Sequence, residues 1–524
     1  MSTRARTVVA AAVLVSLAGA PSAGAAFDAG VAAGEVTSTT AKVWTRADRA
    51  GTVTVRIGTR ASRLRRAGRA PAHATHDDTV TIDLKRLKPD RRYFYRFVQG
   101  SQRSEVGRFR TAPRPSARKT IRFAWTGDAD AQPATAGGPP FWNRFEVYGR
   151  MARERNAFNV NMGDTIYSDS EVGSTHADGQ FVPAAPPALT LADKWGKYKQ
   201  NLGQAALRRL RASGAFFSHW DDHEFINDFS QAENGTELYA AGVQAFRDYA
   251  PVRYSSQDGL YRSFRWGRNL EVFFLDERSF RSAKATAGGV CNNPQTGAPD
   301  LAPTAPQATR NVFAALIPSF AQPVAPACLA AIGDPNRTML GARQLDRFTR
   351  AIQRSKATFK VVMNEVPIQQ FYALPYDRWE GYAAERTRLL TLLRDNVDNV
   401  IFLTTDDHAN FVNDARLQTL EDGGPVDSGI VDITTGPAAT KSFAKEIDDA
   451  TGVADGGLLI TRAFFKPAPP NGVGMTCASP DTFSYGQVQV TAQRLTVRLK
   501  DANGNAVVDA GTGQPCAPIV LDRE

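Results

Sequence analysis

Six short apolar runs in the later part of this chain each stop on a small polar or charged group. They read IRFAWTGD, AFNVNMGD, AFFSHWDD, LEVFFLDE, FKVVMNEV and NVIFLTTDD, with longer helical patterns such as ADKWGKYKQNLGQAALRRLRASG and AERTRLLTLLRDN between them. Apolar runs of strand length alternating with helical stretches require a buried sheet covered by helices, an α/β architecture. In open sheets of this kind ligands bind outside the carboxyl ends of the strands. The six endings therefore converge: Asp128 and Asp130; Gly163-Asp164; Asp221-Asp222-His223; Asp276 with Arg278; Asn364; and Asp406-Asp407-His408. One Asp after a strand is an ordinary cap or turn residue. Capping alone does not explain six in series.

The stretch SHWDDHEFIND sharpens the point. It places Asp221, Asp222, Glu224 and Asp228 around His223 and holds no Lys or Arg. Carboxylates this close repel one another and raise each other's pKa, but are tolerated when they coordinate cations. A donor set that is mostly oxygen, with one or two His, favours hard ions such as Ca²⁺, Mg²⁺, Mn²⁺ or Fe³⁺ over a thiolate or all-imidazole site.

Residues 27–113 differ. TAKVWTRA, TVTVRIG, DTVTIDL and RRYFYRFVQG alternate with period two between turn residues, which predicts a small β-sandwich of the fibronectin or immunoglobulin type. TAPRPSARKT, residues 111–120, is the expected linker. Residues 284–334, rich in Pro, Ala, Gly and Asn, read as an insertion or lid, and FSYGQVQVTAQRLTVRLKDANG as a final strand pair added to the sheet.

The chain begins with Arg4 and Arg6, an apolar run from Val8 to Ala18 and small residues near Ala25 and Ala26, the pattern of a signal peptide over residues 1–26. The expectation is a secreted, soluble protein, extracellular or periplasmic, with no transmembrane anchor. Its four cysteines then suggest two disulfides. Three pairings exist, and sequence locality favours Cys291–Cys328 with Cys477–Cys516. The net charge of +10 is spread along the chain. Its densest run, Arg60 to Arg69, has no interleaved aromatic residue and reads as a solvated edge, so no nucleic-acid-binding motif is present. Also absent are H-E-x-x-H, a P-loop and a G-x-S-x-G elbow.

GDTIYSD (163–169), WDDHEFIND (220–228), LDERSFRS (275–282), RWEGYAAER (378–386) and LTTDDH (403–408) together resemble the PhoD-like alkaline phosphatase D family of the calcineurin-like metallophosphatases. FDAGVAAGEVTSTTAKVWTR is similar to that family's leading domain. The resemblance implies an α/β (α+β) metallophosphatase-type βαβ sandwich over residues 120–524, behind the small all-β domain. It implies a metal-dependent phosphoric ester hydrolase acting on monoesters, diesters or both, with calcium first among the metals and iron, manganese or zinc as alternatives.

Asp164 matches a carboxylate bridging two metals, Asp222 a ligand of the second metal, and His223 the histidine beside the leaving group. Asp406 and His408 match the family's terminal Asp and His ligands, and Tyr167 a ligand of ferric iron. The family's first strand commonly ends in a Cys ligand. Asp128 stands there in this chain, which hardens the site. The implied metal set is Asp128, Asp164, Tyr167, Asp221, Asp222, Asp406 and His408, with Asp222, His223 and Arg278 at the reacting group. Arg278 is expected either to clamp a phosphate oxygen or to pair with Asp276 or Glu277. Asn364 and His219 are weaker candidates, His219 because alternation turns it away. His73, His76 and His176 read as surface residues, Trp379 and Tyr382 as scaffold. Two other readings stand beside this one: a phospholipase D-like diesterase acting on phospholipid, and a binding protein whose carboxylates hold structural calcium.

Overall fold

The computed structural model describes residues 27–175 and 180–524. The expected signal peptide and His176 lie outside them. Two mixed sheets pack face to face. The first has nine strands, in the spatial order Ile519–Asp522, Arg494–Asp501, Ser484–Val490, Ile121–Thr126, Phe158–Met162, Ala215–His219, Val31–Gly34, Ala41–Arg46 and Thr79–Leu84. Its central three, Ile121–Thr126, Phe158–Met162 and Ala215–His219, are parallel. The second has seven strands and contains the parallel set Leu270–Phe274, Phe359–Met363, Val400–Thr404 and Val431–Thr434. All but Val431–Thr434 are the apolar runs of the sequence, largely buried on both faces as a parallel sheet requires.

The inner faces share one core. Phe217 of the first sheet meets Phe264 and Phe274 of the second, with ring centroids 4.6 and 6.0 Å apart. Helices Leu191–Leu202, Ala205–Ser213 and Thr236–Tyr249 bury Tyr198, Leu210 and Phe246 on the outer side of the first sheet. Helices Ala342–Arg354 and Ala383–Asn396 bury Phe348 and Leu390 outside the second.

The region before the linker does not stand apart. Five of its strands, between Gly51 and Arg110, form a separate sheet. The other three complete the nine-stranded sheet: Val31–Gly34 runs parallel to Ala215–His219, with Ala33 opposite Ala215. Buried polar contacts fasten the junction. Glu35 pairs with Arg262 at 3.0 Å, and Trp44 Nε1 donates to the Asp248 carbonyl at 2.6 Å.

Both disulfides join the sequence-local pairs, Cys291–Cys328 and Cys477–Cys516. The first closes the insertion, where Arg310 holds Asp300 through two bonds of 2.6 and 2.9 Å. Among the described residues no helix is long and apolar enough to cross a membrane.

Candidate metal centre

The carboxyl ends of the parallel strands in both sheets meet at one place. Trp125 Nε1 donates to the Thr404 carbonyl at 3.1 Å, and Thr405 Oγ1 to the Met162 carbonyl at 2.9 Å, so the loops leaving the two sheets are tied together. Four polar residues on these loops take left-handed backbone: Asp128 (φ 60°), Asp164 (46°), Asp406 (70°) and His408 (49°). Each such conformation costs a non-glycine residue roughly 1 kcal/mol or more, and strain of this kind gathers where function fixes the side-chain direction. Gly163 (φ 114°) lets the strands approach; a Cβ there would stand 2.6 Å from that of Asp221.

The side chains form a connected series. Asp128, Asp164 and His408 bring ligand atoms within 4.8 Å of one another; so do Asp164, Asp222 and His223; so do Asp221, Asp222 and Asp406; and so do Asp222, Asp228 and Asp377. Asp164 belongs to the first two groups and Asp222 to the last three. Asp128 Oδ2 and Asp221 Oδ2 are buried without a hydrogen-bond partner. Burial raises the Asp128 carboxyl to about 7, helped by the charge of Asp222. Burial, with the charges of Asp222, Asp221 and Glu224, carries Asp164 well above the ordinary carboxylate range. Asp406 is raised in the same way, by burial and then by Asp221 and Asp407. Orphaned oxygens on mutually repelling buried carboxylates fit hard cations between them.

Each histidine is held by a carboxylate. His223 Nδ1 lies 2.6 Å from Asp169 Oδ1, and Asp169 Oδ2 accepts the Asn227 amide at 2.8 Å. Burial would raise Asp169, but the His223 charge and these hydrogen bonds lower it to about 2. The His223 ring stacks on Tyr167 with centroids 4.2 Å apart. The Tyr167 hydroxyl reaches His408 Nε2 at 2.8 Å, and His408 Nδ1 meets Glu446 Oε1 at 2.5 Å. Burial opposes the charge on His408, yet Glu446 prevails and raises it to about 9.

Arg278 is fully buried. Its Nε bonds Asp221 at 2.5 Å and its Nη1 bonds Asp377 at 2.7 Å, while Nη2 lies 3.5 Å from Asp406 and 3.8 Å from Asp222. The positive charge missing from residues 218–228 thus comes in part from a strand end in the other sheet. The expected pairing with Asp276 or Glu277 is corrected. Asp276 accepts backbone amides of Leu260 and Ser279, and Glu277 accepts the Val366 amide and Trp379 Nε1.

Several other expected candidates lie outside the four groups. Asn364 donates to the Val366 carbonyl. Asp407 pairs with Arg378, and Asp130 accepts from Ser170. His219 is buried, 3.1 Å from Glu365 and 3.2 Å from Arg262. His73 is exposed, and His76 rests on Asp248. Tyr382 bonds the Ser282 carbonyl. Asp169, Asp377 and Glu446 were not singled out from the sequence, and Asp228 only as a member of the acidic cluster around His223. Asp169 and Asp228 close two motifs, and Asp377 directly precedes a third, so position marked them; Glu446 sits on helix Phe443–Thr451 with no such signal.

Two packed sheets whose parallel strands end on one carboxylate cluster define a metallophosphatase-type α/β sandwich. Purple acid phosphatase PPD1 from yellow lupin (Lupinus luteus) superposes with a TM-score of 0.55 at 12% identity, covering 94% of this chain and 74% of that one. A solved structure of PhoD superposes with a TM-score of 0.70 at 21% identity, covering 96% and 92%. The chain belongs to the PhoD-like phosphatase family: the family model matches residues 134–499, and the model of its N-terminal domain matches residues 12–113. Alkaline phosphatase D of Bacillus subtilis (strain 168) is 26% identical over 378 residues, 66% of this chain. The match spans 55% of the length of that curated relative.

Proposed function

We propose that this chain is an exported, metal-dependent phosphoric ester hydrolase of the alkaline phosphatase D type. The observation that carries the reading is the sharing of Asp164 between two adjoining three-residue groups, with Asp128 Oδ2 left unpartnered beside them. Asp128, Asp164, Tyr167 and His408 would hold one cation, and Asp164, Asp221, Asp222 and Asp406 its neighbours. Calcium suits this oxygen-rich set, with iron, manganese or zinc as alternatives. Bound cations supply charge neutralisation of the ester and a water of lowered pKa for in-line displacement.

The protein's own groups do the rest. With Nδ1 committed to Asp169, His223 presents only its Nε2, placed to give a proton to the departing alkoxide. Arg278 gives Nε to Asp221 and Nη1 to Asp377 and so positions those carboxylates, while its Nη2, buried without a hydrogen-bond partner, is left to clamp a phosphate oxygen. A phospholipase D-like reading draws on a groove of about 460 Å³ lined by Leu301, Phe313 and Leu316 of the insertion and by Ile447 and Leu459. Ile447 neighbours Glu446, so one helix both lines the apolar groove and carries the carboxylate that holds His408. The structural-calcium reading leaves the carboxylate-bound His223 and His408 without a purpose.

Residues 27–113 as a fibronectin- or immunoglobulin-type sandwich, and export through residues 1–26, belong to the same proposal; a mature amino terminus near Phe27 tests the second. For the chemistry, elemental analysis is paired with turnover of monoester and diester chromogenic substrates before and after chelation. Metal-loaded protein inactive on both ester types, or full activity after chelation, would overturn the reading.

A further inference from the structure

A second cleft lies at the opposite ends of the same three parallel strands. It encloses about 660 Å³ and is lined by Arg92, Arg108 and Arg110 from the five-stranded sheet, and by Arg122 and Arg155 beside Ile121–Thr126 and Phe158–Met162. No carboxylate is among its lining residues. Strands of five or six residues separate it from the carboxylate cluster by about 15–20 Å.

The arginines are arranged at some cost. Arg92 and Arg110 face each other directly across an antiparallel pair, and like charges so placed are destabilising. Asp90 answers Arg110 at 2.8 Å, but it also takes Lys119 at 3.6 Å. Arg108 Nε is anchored on the Ser213 carbonyl at 2.9 Å and Arg122 on the Glu154 carbonyl, which aims their remaining N–H groups without neutralising them. Among the described residues, Arg92 and Arg155 have no side-chain hydrogen bond or ion pair. Arg155 also adopts left-handed backbone, φ 57°. Guanidinium groups concentrated on a concave wall, of which Arg110 alone is answered by a carboxylate among the described residues, are the chemistry of oxyanion recognition.

We propose that this cleft is a second binding site, for a polyanion carrying several phosphates in a row and no bases. One phosphate is satisfied by one or two arginines; five arginines around a cavity this large suit a run of them. Phe109, the sole aromatic residue in the lining, is 1% exposed and offers no stacking platform, which disfavours single-stranded nucleic acid. The site does not depend on the hydrolytic reading, because binding is measurable with the metal centre disabled.

The test is fluorescence anisotropy on the full chain carrying Asp164→Ala, repeated on chelated unmutated protein so that a folding defect in the variant cannot decide the outcome. The probes are end-labelled linear polyphosphate and an abasic deoxyribose-phosphate oligomer, which separate condensed phosphate from a phosphodiester backbone as the source. Adding Arg92→Ala with Arg155→Ala weakens the better probe by roughly tenfold and lowers the slope of log affinity against log salt by about two. Arg65→Ala with Arg69→Ala, an equal charge loss on an exposed strand elsewhere, leaves affinity within about twofold. Equal losses from both pairs, no loss from the cleft pair, or tighter binding of an oligothymidylate of the same length would overturn the proposal. Placed in otherwise unmutated protein, the cleft pair, being exposed and remote, keeps turnover of a small chromogenic ester, which confirms an intact fold.

Discussion

The two ends of the strands Ile121–Thr126, Phe158–Met162 and Ala215–His219 are opposites. At the carboxyl ends short side chains are buried, held by left-handed backbone and crowded with negative charge. At the amino ends long side chains are exposed, positively charged and, at Arg92 and Arg155, unattached. A short buried carboxylate has few rotamers and an exact address, which chemistry at a single atom requires. An exposed arginine reaches a variable target and tolerates misplacement, which suits holding a flexible polyanion. The same sheet thus supports a precise pole and an accommodating one.

That contrast fixes an order of expected effects. Asp164→Ala removes the carboxylate shared by two groups and has the largest consequence: metal content and ester turnover fall together, measured by elemental analysis beside kinetics. Retained metal with full turnover would erase the distinction between the poles. His223→Ala keeps the metal and slows turnover roughly a hundredfold or more, the usual contribution of a positioned acid. Asp169→Asn acts through His223 and costs less, about tenfold, with the pH–rate profile displaced because the imidazole loses its charged partner. Arg155→Ala on its own changes hydrolysis of a small ester less than about twofold, since the residue lies at the far end of the strands.

Acid–base behaviour separates the poles by sign. In metal-free protein, burial and crowding hold Asp128 and Asp221 at about 7 against an ordinary value of 3.8. The folded state then binds more protons than the unfolded one between about pH 4 and 7, so stability falls as the pH rises through that window. Melting temperatures in chelator should decline from pH 4 to 7, and added cation should abolish the decline. At the amino ends, Asp90 is lowered: burial opposes, but Arg110 and Lys119 prevail. Its contribution is present above about pH 4 and lost as the pH falls through the depressed value. That effect is small, because the pair is partly solvated.

Much of the precise pole was legible in the sequence because buried parallel strands leave unbroken apolar runs, and the first polar residue after each run lands at the same edge. What escaped were contacts between side chains far apart in the chain. Arg278 and Asp377 are 99 positions apart, and only packing of the finished fold brings them to 2.7 Å. Glu446 lies on an ordinary amphipathic helix beside Asp448 and Asp449, and in sequence it looks like either of them. The accommodating pole was invisible for a related reason. Its arginines come from three strands and a loop, so in sequence they dissolve into a general basic excess, while half of the conspicuous Arg60–Arg69 run lies on a different strand, Arg65–Ala72.

The pairing of Val31–Gly34 with Ala215–His219 has a practical bearing on anyone trimming the gene. A shortened product starting at the Pro- and Arg-rich stretch 111–120 would leave Ala215–His219 as a naked sheet margin, with Trp44 stripped from its place against Tyr249 and Arg262 bereft of its acidic partner. Bare margins of that kind recruit neighbouring molecules. The compositional seam in the chain is therefore the wrong place to cut: the leading segment serves as a wall of the nine-stranded sheet itself.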